Sequence, residues 1–97
     1  MEVGYEYPKG SFKVRSLTSK RFRTTGDMAN EGGFGPNLFP AGSSKAITIV
    51  EGEDDCMSVW QMLGDYPVYS VRSASSARKD CAKDFEYLNS FEKIYLA

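Results

Sequence analysis

The densest group of side chains that could do chemistry is an acidic turn at residues 51–55 (EGEDD), which has four carboxylates in five residues. It directly follows residues 46–50 (AITIV), a nearly continuous β-branched run typical of a strand covered on both faces. In open α/β sheets, ligands bind beyond the carboxyl ends of the strands. The acidic turn therefore falls where a site is expected.

Glu51 and Asp55 are the candidate metal ligands of this turn. Gly52 allows a sharp bend after the strand, so that Glu51 can project into the crevice, and Asp55 follows one helical turn later. Mg²⁺ (or Mn²⁺) binds through one or two carboxylates together with waters and substrate phosphates. The spacing is thus compatible with a metal or acid–base site.

The alternative for this turn is helix capping, because acids at a helix start complement the helix dipole by about 0.3–1 kcal/mol each. Capping can account for Glu53, Asp54 and Asp55. It does not account for Glu51, which precedes the glycine and ends the strand. From the spacing alone, both interpretations stay open.

A second group of candidate residues is basic and precedes the acidic turn, in a stretch without acids between residues 7 and 26. Its members are Lys13, Arg15, Lys20, Arg21 and Arg23, with Phe12 and Phe22 among them. Such a surface suits nucleotides or nucleic acid, because cations bind phosphates and rings stack on bases. Alternatively, the charges only protect exposed strands from edge-to-edge pairing. Beside an acidic metal-type site, the basic group favours phosphoryl transfer.

The composition excludes several other classes of protein. The chain has 97 residues, 12 Lys and Arg, 13 Asp and Glu and no His, as expected of one small domain. No apolar run approaches the roughly 20 residues of a membrane helix, so we expect a cytoplasmic protein without membrane contact. Two cysteines without histidine are too few for a structural zinc site, and we expect both to be reduced core residues. Triads with an imidazole base are likewise excluded.

The elements that must position these residues form a predicted α+β fold. Residues 1–44 are predicted as an N-terminal antiparallel β subdomain with a Gly/Pro-rich connector, and residues 45–97 as a β-α-β-α-β parallel sheet with right-handed crossovers. The predicted strands cover 5–7, 12–17, 21–25, 46–50, 67–71 and 93–97, and the first helix covers 54–64. A second helix begins after Ser75 or Ser76, with Ala77, Cys81, Phe85 and Leu88 inward.

Two weaker features have structural interpretations. Residues 32–35 (GGFG) lack the Gly-Lys-Ser/Thr of a P-loop and are predicted as a flexible turn in a connector anchored by Phe34, Leu38 and Phe39. Residues 73–76 (SASS), beside Arg72, Arg78 and Lys79, could bind phosphate at a helix start. Ordinary helix capping is favoured there.

Residues 47–55 resemble the first motif of Toprim domains, an apolar strand that ends in Glu-Gly with an acid a few residues later. More narrowly, the whole chain resembles the RNA-polymerase region of phage bifunctional primase-helicases. The matching features occur in order: Lys13-Val14-Arg15, Lys20 with Phe22, Thr25-Gly26, Phe34-Gly35 with Leu38, residues 51–53, Tyr66-Pro67-Val68, Ser70, Ala74-Ser75, Ala77, Lys79, Cys81-Ala82 and Phe91-Glu92.

This resemblance implies roles for both groups of residues. Glu51 corresponds to the catalytic glutamate of the motif, as a metal ligand or acid–base group, and Asp55 to its neighbouring acid. Lys13 and Lys20 match basic positions that face the nucleotide, and Arg15, Arg21 and Arg23 extend that patch. The implied cofactor is Mg²⁺ or Mn²⁺, and the implied partners are ribonucleoside triphosphates and a single-stranded DNA template.

The chain also departs from this family. An Asp-x-Asp motif follows the strand that corresponds to residues 93–97, and the sequence ends at Ala97. The resemblance therefore implies a truncated Toprim-like sheet in a fragment of a DNA primase, which is inactive alone and associates with itself through the truncated sheet edge. The alternatives are a non-catalytic nucleic-acid-binding module, or a Toprim nuclease or topoisomerase-type strand cleavage.

Overall fold

Two three-stranded sheets organise the protein. The computed structural model describes residues 2–16, 18–19, 21–64 and 66–96. One sheet is antiparallel and lies within the first 25 residues, and the other is parallel and is built with helices from residue 46 onward. The predicted α+β fold class is confirmed.

The antiparallel sheet has the strand order β1-β2-β3. Its strands are β1 (Glu2–Glu6), β2 (Phe12–Ser16) and β3 (Phe22–Thr25). β1 begins earlier than predicted, and Tyr7 lies beyond its end rather than within it. The Tyr7 amide donates to the Ser11 carbonyl (2.8 Å) and the Gly10 amide donates to the Tyr7 carbonyl (2.9 Å), so the hairpin turn closes around Tyr7.

The parallel sheet has the order β5-β4-β6, with the β-branched strand in the centre as predicted. Its strands are β4 (Ala46–Glu51), β5 (Val68–Val71) and β6 (Lys93–Leu96). Helix α1 (Glu53–Leu63) connects β4 to β5 and ends at Gly64, whose φ of 67° is the left-handed conformation that closes a helix.

Each face of the parallel sheet carries its own apolar cluster, because alternate residues of a strand point to opposite faces. On one face, Val50 and Val68 pack against Cys56 of α1, Tyr7 and Phe34. On the other face lies a second cluster. Its buried members are Ile47, Tyr69, Val71, Leu88 and Phe91, and Cys81 packs against them. The two cysteines are free thiols and lie on opposite faces.

The predicted second helix is broken into α2 (Ala77–Lys83) and α3 (Phe85–Asn89). The break occurs at Asp84, whose carboxylate accepts hydrogen bonds from the Tyr69 hydroxyl (2.6 Å) and the Gly33 amide (2.8 Å). Phe85 is 63% exposed, so its predicted inward position is wrong. The change of direction at Asp84 turns Phe85 outward while Leu88 remains buried.

The predicted flexible turn at residues 32–35 is also wrong. Residues 31–35 are all buried, and Phe34 forms an antiparallel bridge with Ser70 of β5 through two backbone hydrogen bonds of 2.7 and 2.9 Å. The glycines permit this close approach, since a Cβ on Gly33 would lie 2.2 Å from the Tyr69 ring. Of the other predicted anchors, Phe39 is half-buried and Leu38 is 47% exposed. Within the described residues, no helix is both long and apolar enough to cross a membrane.

Candidate functional site

The two candidate metal ligands lie on either side of the turn that joins β4 to α1. Glu51 is the last residue of β4 and is exposed at the carboxyl end of the parallel sheet. Gly52 has φ 129°, a conformation that side chains rarely adopt. Asp55 is exposed in the first turn of α1, and its Oδ2 lies 3.5 Å from the position that a Cβ on Gly52 would occupy. Two solvent-accessible carboxylates thus border one sharp turn.

Glu53, the first residue of α1, has the opposite environment. It is 2% exposed, and its carboxylate accepts a hydrogen bond from the buried Tyr7 hydroxyl. The Lys13 Nζ lies 3.2 Å from Oε2 and 3.3 Å from Oε1 of the same carboxylate. Sequence reasoning gave Glu53 only a capping role. No local signal distinguishes it from its acidic neighbours, because its partners lie 46 and 40 positions away.

Two tyrosines of the antiparallel sheet region bind the acids of α1. Burial raises the pKa of Tyr7, and the hydrogen bond to Glu53 raises it further. Partial burial, followed by the hydrogen bond to Asp54, raises the pKa of Tyr5 to about 12. Both phenols therefore keep their protons at neutral pH and act as donors to the carboxylates.

Among the described basic residues, Lys13 and Arg15 contact the acidic turn. Residues two apart on a strand share a face, and this face of β2 is directed at α1. The Lys13 side chain is 12% exposed, and its ammonium lies 4.9 Å from the centre of the Phe22 ring. Arg15 Nη1 lies 2.9 Å from Asp54 Oδ2, and the Arg15 side chain remains largely accessible.

Of the predicted basic residues that the structure describes, Arg21 and Arg23 are not brought to this turn. Arg23 is opposite Val14 in the register of β2 and β3, so it points to the other face of the antiparallel sheet, where it pairs with Glu2 (3.2 Å). Arg21 is exposed just before β3 and lines a shallow groove with Phe22 and Arg23. Lys20 lies outside the described residues.

Residues 73–76 cap a short 3₁₀ turn (Ala74–Ser76) through a reciprocal capping box formed by Ser73 and Ser76. The predicted cap of the second helix at Ser75 or Ser76 is wrong, because Ser76 precedes α2 without a side-chain capping bond. Arg72 is paired with the buried Asp80, with Nη2 and Oδ1 2.7 Å apart, and this carboxylate also accepts from the Arg72 amide. The hydrogen bond to Asp80 raises the pKa of Arg72. These groups join β5 to α2 and the turn at Met28, whose carbonyl accepts from Arg72 (2.7 Å).

The donor set at the acidic turn fits a hard cation better than a transition metal. Among the described residues, no cluster of three or more His, Cys, Asp or Glu side chains forms a ready-made cage. Glu51 and Asp55 offer carboxylate oxygens at an open surface, which matches Mg²⁺ or Mn²⁺ ions that keep several waters.

No protein-family model matches the chain. The DNA helicase/primase of Enterobacteria phage T3 is 40% identical over 88 residues, which cover 89% of this chain and 15% of the phage protein. The chain therefore corresponds to a small part of that relative.

Solved structures give the same result. The crystal structure of the primase fragment of the bacteriophage T7 primase-helicase protein matches 98% of this chain and 40% of its own, with a TM-score of 0.80 and 37% identity. A second structure holds bacteriophage T7 lagging-strand DNA polymerase with the primase domains of two gp4 subunits bound to an RNA/DNA hybrid and dTTP. It matches 98% of this chain and 44% of its own, with a TM-score of 0.78 and 37% identity. The predicted resemblance to the primase region of phage primase-helicases is confirmed.

Proposed function

We propose that this chain, a relative of the primase region of phage primase-helicases, is the part of a DNA primase that binds nucleotide phosphates during RNA primer synthesis. The reaction is nucleotidyl transfer, in which a ribose 3′-hydroxyl forms a bond to the α-phosphorus of a ribonucleoside triphosphate. The bond from this phosphorus to the bridging oxygen of the pyrophosphate breaks, and the hydroxyl proton passes to solvent. Glu51 and Asp55 are the residues that would hold Mg²⁺, which when bound neutralises triphosphate charge.

The observation that carries this proposal is the Lys13–Glu53 ion pair. It fixes the basic face of β2 against the first residue of α1, two positions after Glu51. Two groups of opposite charge that are far apart in sequence therefore share one surface. An anionic triphosphate with a bound cation needs this combination of positive side chains and carboxylates.

Glu53 and Asp54 form ion pairs with Lys13 and Arg15 and do not serve as metal ligands in this proposal. An ammonium has three N–H donors and a guanidinium has five, so Lys13 and Arg15 keep donors for phosphate oxygens while paired with α1. The exposed Phe22 ring beside Lys13 offers a surface on which a base can stack. The function of this face is to position the triphosphate relative to Glu51.

The relatives support the class of partner. The T7 structure has primase domains bound to an RNA/DNA hybrid and dTTP. For this chain, we infer ribonucleoside triphosphates and a single-stranded DNA template as ligands. The chain spans only part of the length of these relatives, and the role proposed for its residues is the binding of these ligands.

Binding of fluorescent ATP and of labelled single-stranded DNA, measured by anisotropy with and without Mg²⁺, tests this proposal. We expect ATP to bind more tightly with Mg²⁺, and Glu51→Gln to remove that difference. Glu86→Gln, which removes an equal charge from an exposed position on α3, is the control and should behave as wild type. An ATP affinity that Mg²⁺ and Glu51→Gln leave unchanged contradicts the proposal.

A non-catalytic nucleic-acid-binding module is the second candidate function, and the location of Arg21 and Arg23 favours it. These residues and Phe22 line a groove separate from the acidic turn. A module of this kind binds single strands in a strongly salt-dependent way and is indifferent to Mg²⁺. Arg23→Ala should weaken DNA binding in that case, whereas Glu51→Gln should have no effect.

A further inference from the structure

The Glu51–Gly52 turn is held by a hydrogen bond to the neighbouring strand β5, in addition to the first hydrogen bond of α1. The Gly52 amide donates to the Ser70 Oγ of β5 at 2.8 Å, while the Gly52 carbonyl accepts from the Cys56 amide at 3.0 Å as the first bond of α1. The first of these bonds connects the turn to the neighbouring strand through a side chain. If the Ser70 hydroxyl were removed, the amide of the half-buried Gly52 would lose this acceptor.

Ser70 is a rigid point of attachment. It is fully buried, and its hydroxyl donates to the Val71 carbonyl (2.9 Å), which leaves the oxygen lone pairs for the Gly52 amide. Its own amide and carbonyl are both bonded to Phe34 on the side away from β4. One buried serine is thus held by its strand and by the buried segment at residues 31–35.

The two neighbours of Glu51 in the chain, Val50 and Gly52, both lie against Ser70. In the register of the parallel pair, Val50 is opposite Ser70, and Gly52 is bonded to the Ser70 side chain. The backbone of Glu51 therefore has little freedom on either side. A carboxylate that must meet a cation and a triphosphate benefits from such a fixed base.

We propose that Ser70 is a positioning residue that fixes the Glu51–Gly52 turn and thereby sets the direction of the Glu51 carboxylate. This inference rests on the proposed function for the role of the carboxylate, but the hydrogen bond from Gly52 to Ser70 is testable without any ligand. The serine itself touches no substrate in this assignment and acts only through the Gly52 amide.

The test compares Ser70→Ala with Ser11→Ala, which removes a hydroxyl from another buried serine at the N-terminal hairpin. Ser70→Cys, which keeps a weaker acceptor of similar size, is the second variant in case the alanine variant folds poorly. Hydrogen exchange of the Gly52 amide is measured by NMR without metal. We expect exchange about fivefold faster in Ser70→Ala and unchanged in Ser11→Ala.

Mn²⁺ affinity of the same variants, read from amide broadening, completes the test. Loss of the Ser70–Gly52 hydrogen bond in Ser70→Ala should weaken Mn²⁺ binding roughly tenfold, while the circular dichroism spectrum stays that of wild type. Unchanged Gly52 exchange, or faster exchange with unchanged Mn²⁺ affinity, overturns the role of Ser70. Absence of Mn²⁺ binding in the wild-type chain overturns the proposed function itself, and the exchange result still reports whether the turn is fastened.

Discussion

At the scale of single residues, Glu51 and Glu53 illustrate how one glycine separates two environments. Glu51 ends an extended strand and is exposed, whereas Glu53 begins a helix and is buried under Tyr7 and Lys13. An exposed carboxylate can accept an external ligand, whereas a buried and paired one contributes mainly to structure. The proposed ligand-binding role therefore fits Glu51, whereas Glu53 anchors the basic face.

This assignment predicts opposite effects of the same substitution on stability. Glu51→Gln should change the free energy of unfolding by less than about 0.5 kcal/mol, as is usual for exposed positions. Glu53→Gln should lower it by about 1–3 kcal/mol, because the buried ion pair with Lys13 loses its negative partner and leaves the largely covered ammonium without a counter-charge. Urea denaturation of the two variants measures both values. A large loss in Glu51→Gln, or none in Glu53→Gln, contradicts the assignment.

The sequence permitted the prediction of Glu51 and not of Glu53, for a physical reason. The position of Glu51 depends on local features, a β-branched strand before it and a glycine after it. The environment of Glu53 depends on residues of another sheet, which reach it only after the chain has folded. Likewise, the sequence suggested that Arg23 and Lys13 belong to one basic patch. In the sheet, however, Lys13 is opposite Thr24 and Arg23 is opposite Val14, so the two basic side chains point to opposite faces.

At the scale of elements, the buried segment at residues 31–35 connects the N-terminal hairpin, β5 and the break between α2 and α3. Phe34 bridges to β5, the Gly33 amide donates to Asp84 at the break between α2 and α3, and the Glu31 carboxylate accepts from the Lys9 and Ser11 amides of the N-terminal hairpin. This segment therefore contributes to the relative position of both sheets.

Gly33→Ala tests the role of this segment. The new Cβ would lie 2.2 Å from the Tyr69 ring and 2.6 Å from the Ser70 carbonyl oxygen, so the segment must shift away from β5. We expect the free energy of unfolding to fall by about 1–3 kcal/mol. Gly4→Ala, whose Cβ would meet Phe12 at an ordinary 3.6 Å, is the matched control and should stay within about 0.5 kcal/mol. Equal stability of the two variants in thermal denaturation would contradict this role.

Most elements were predictable because their signals are local. The β-branched run predicted β4 as the central strand, and Gly64 predicted the end of α1. The break at Asp84 was not predictable, because the Asp84 carboxylate accepts hydrogen bonds from Tyr69 and Gly33, which are distant in the sequence. The burial of residues 32–35 was missed for the same reason, because glycine also indicates flexibility when its tertiary contacts are unknown.

At the scale of the whole molecule, β6 forms one edge of the parallel sheet and has a largely apolar surface. Ile94, Tyr95 and Leu96 are all exposed, and Leu96 most of all at 82%. Tyr95 and Leu96 border an apolar groove with Leu63 and Tyr66. An exposed apolar edge strand invites pairing with another strand.

We therefore predict that the 97-residue chain associates with itself through β6. Its weight-average mass, measured by light scattering, should rise with protein concentration. Tyr95→Lys should suppress the rise, because a charge on the edge opposes strand pairing. Phe85→Lys, at an exposed position on α3 away from this edge, should not suppress it. A monomer mass at high concentration contradicts this prediction.

A Mn²⁺ titration of the isotope-labelled chain, followed by NMR, tests most directly whether Glu51 and Asp55 form a divalent-cation site. We expect selective broadening of the amides of residues 51–55, abolished by Glu51→Gln and retained in Glu86→Gln. Broadening that is absent, that spreads evenly over the acidic surface, or that survives in Glu51→Gln would contradict the proposed site.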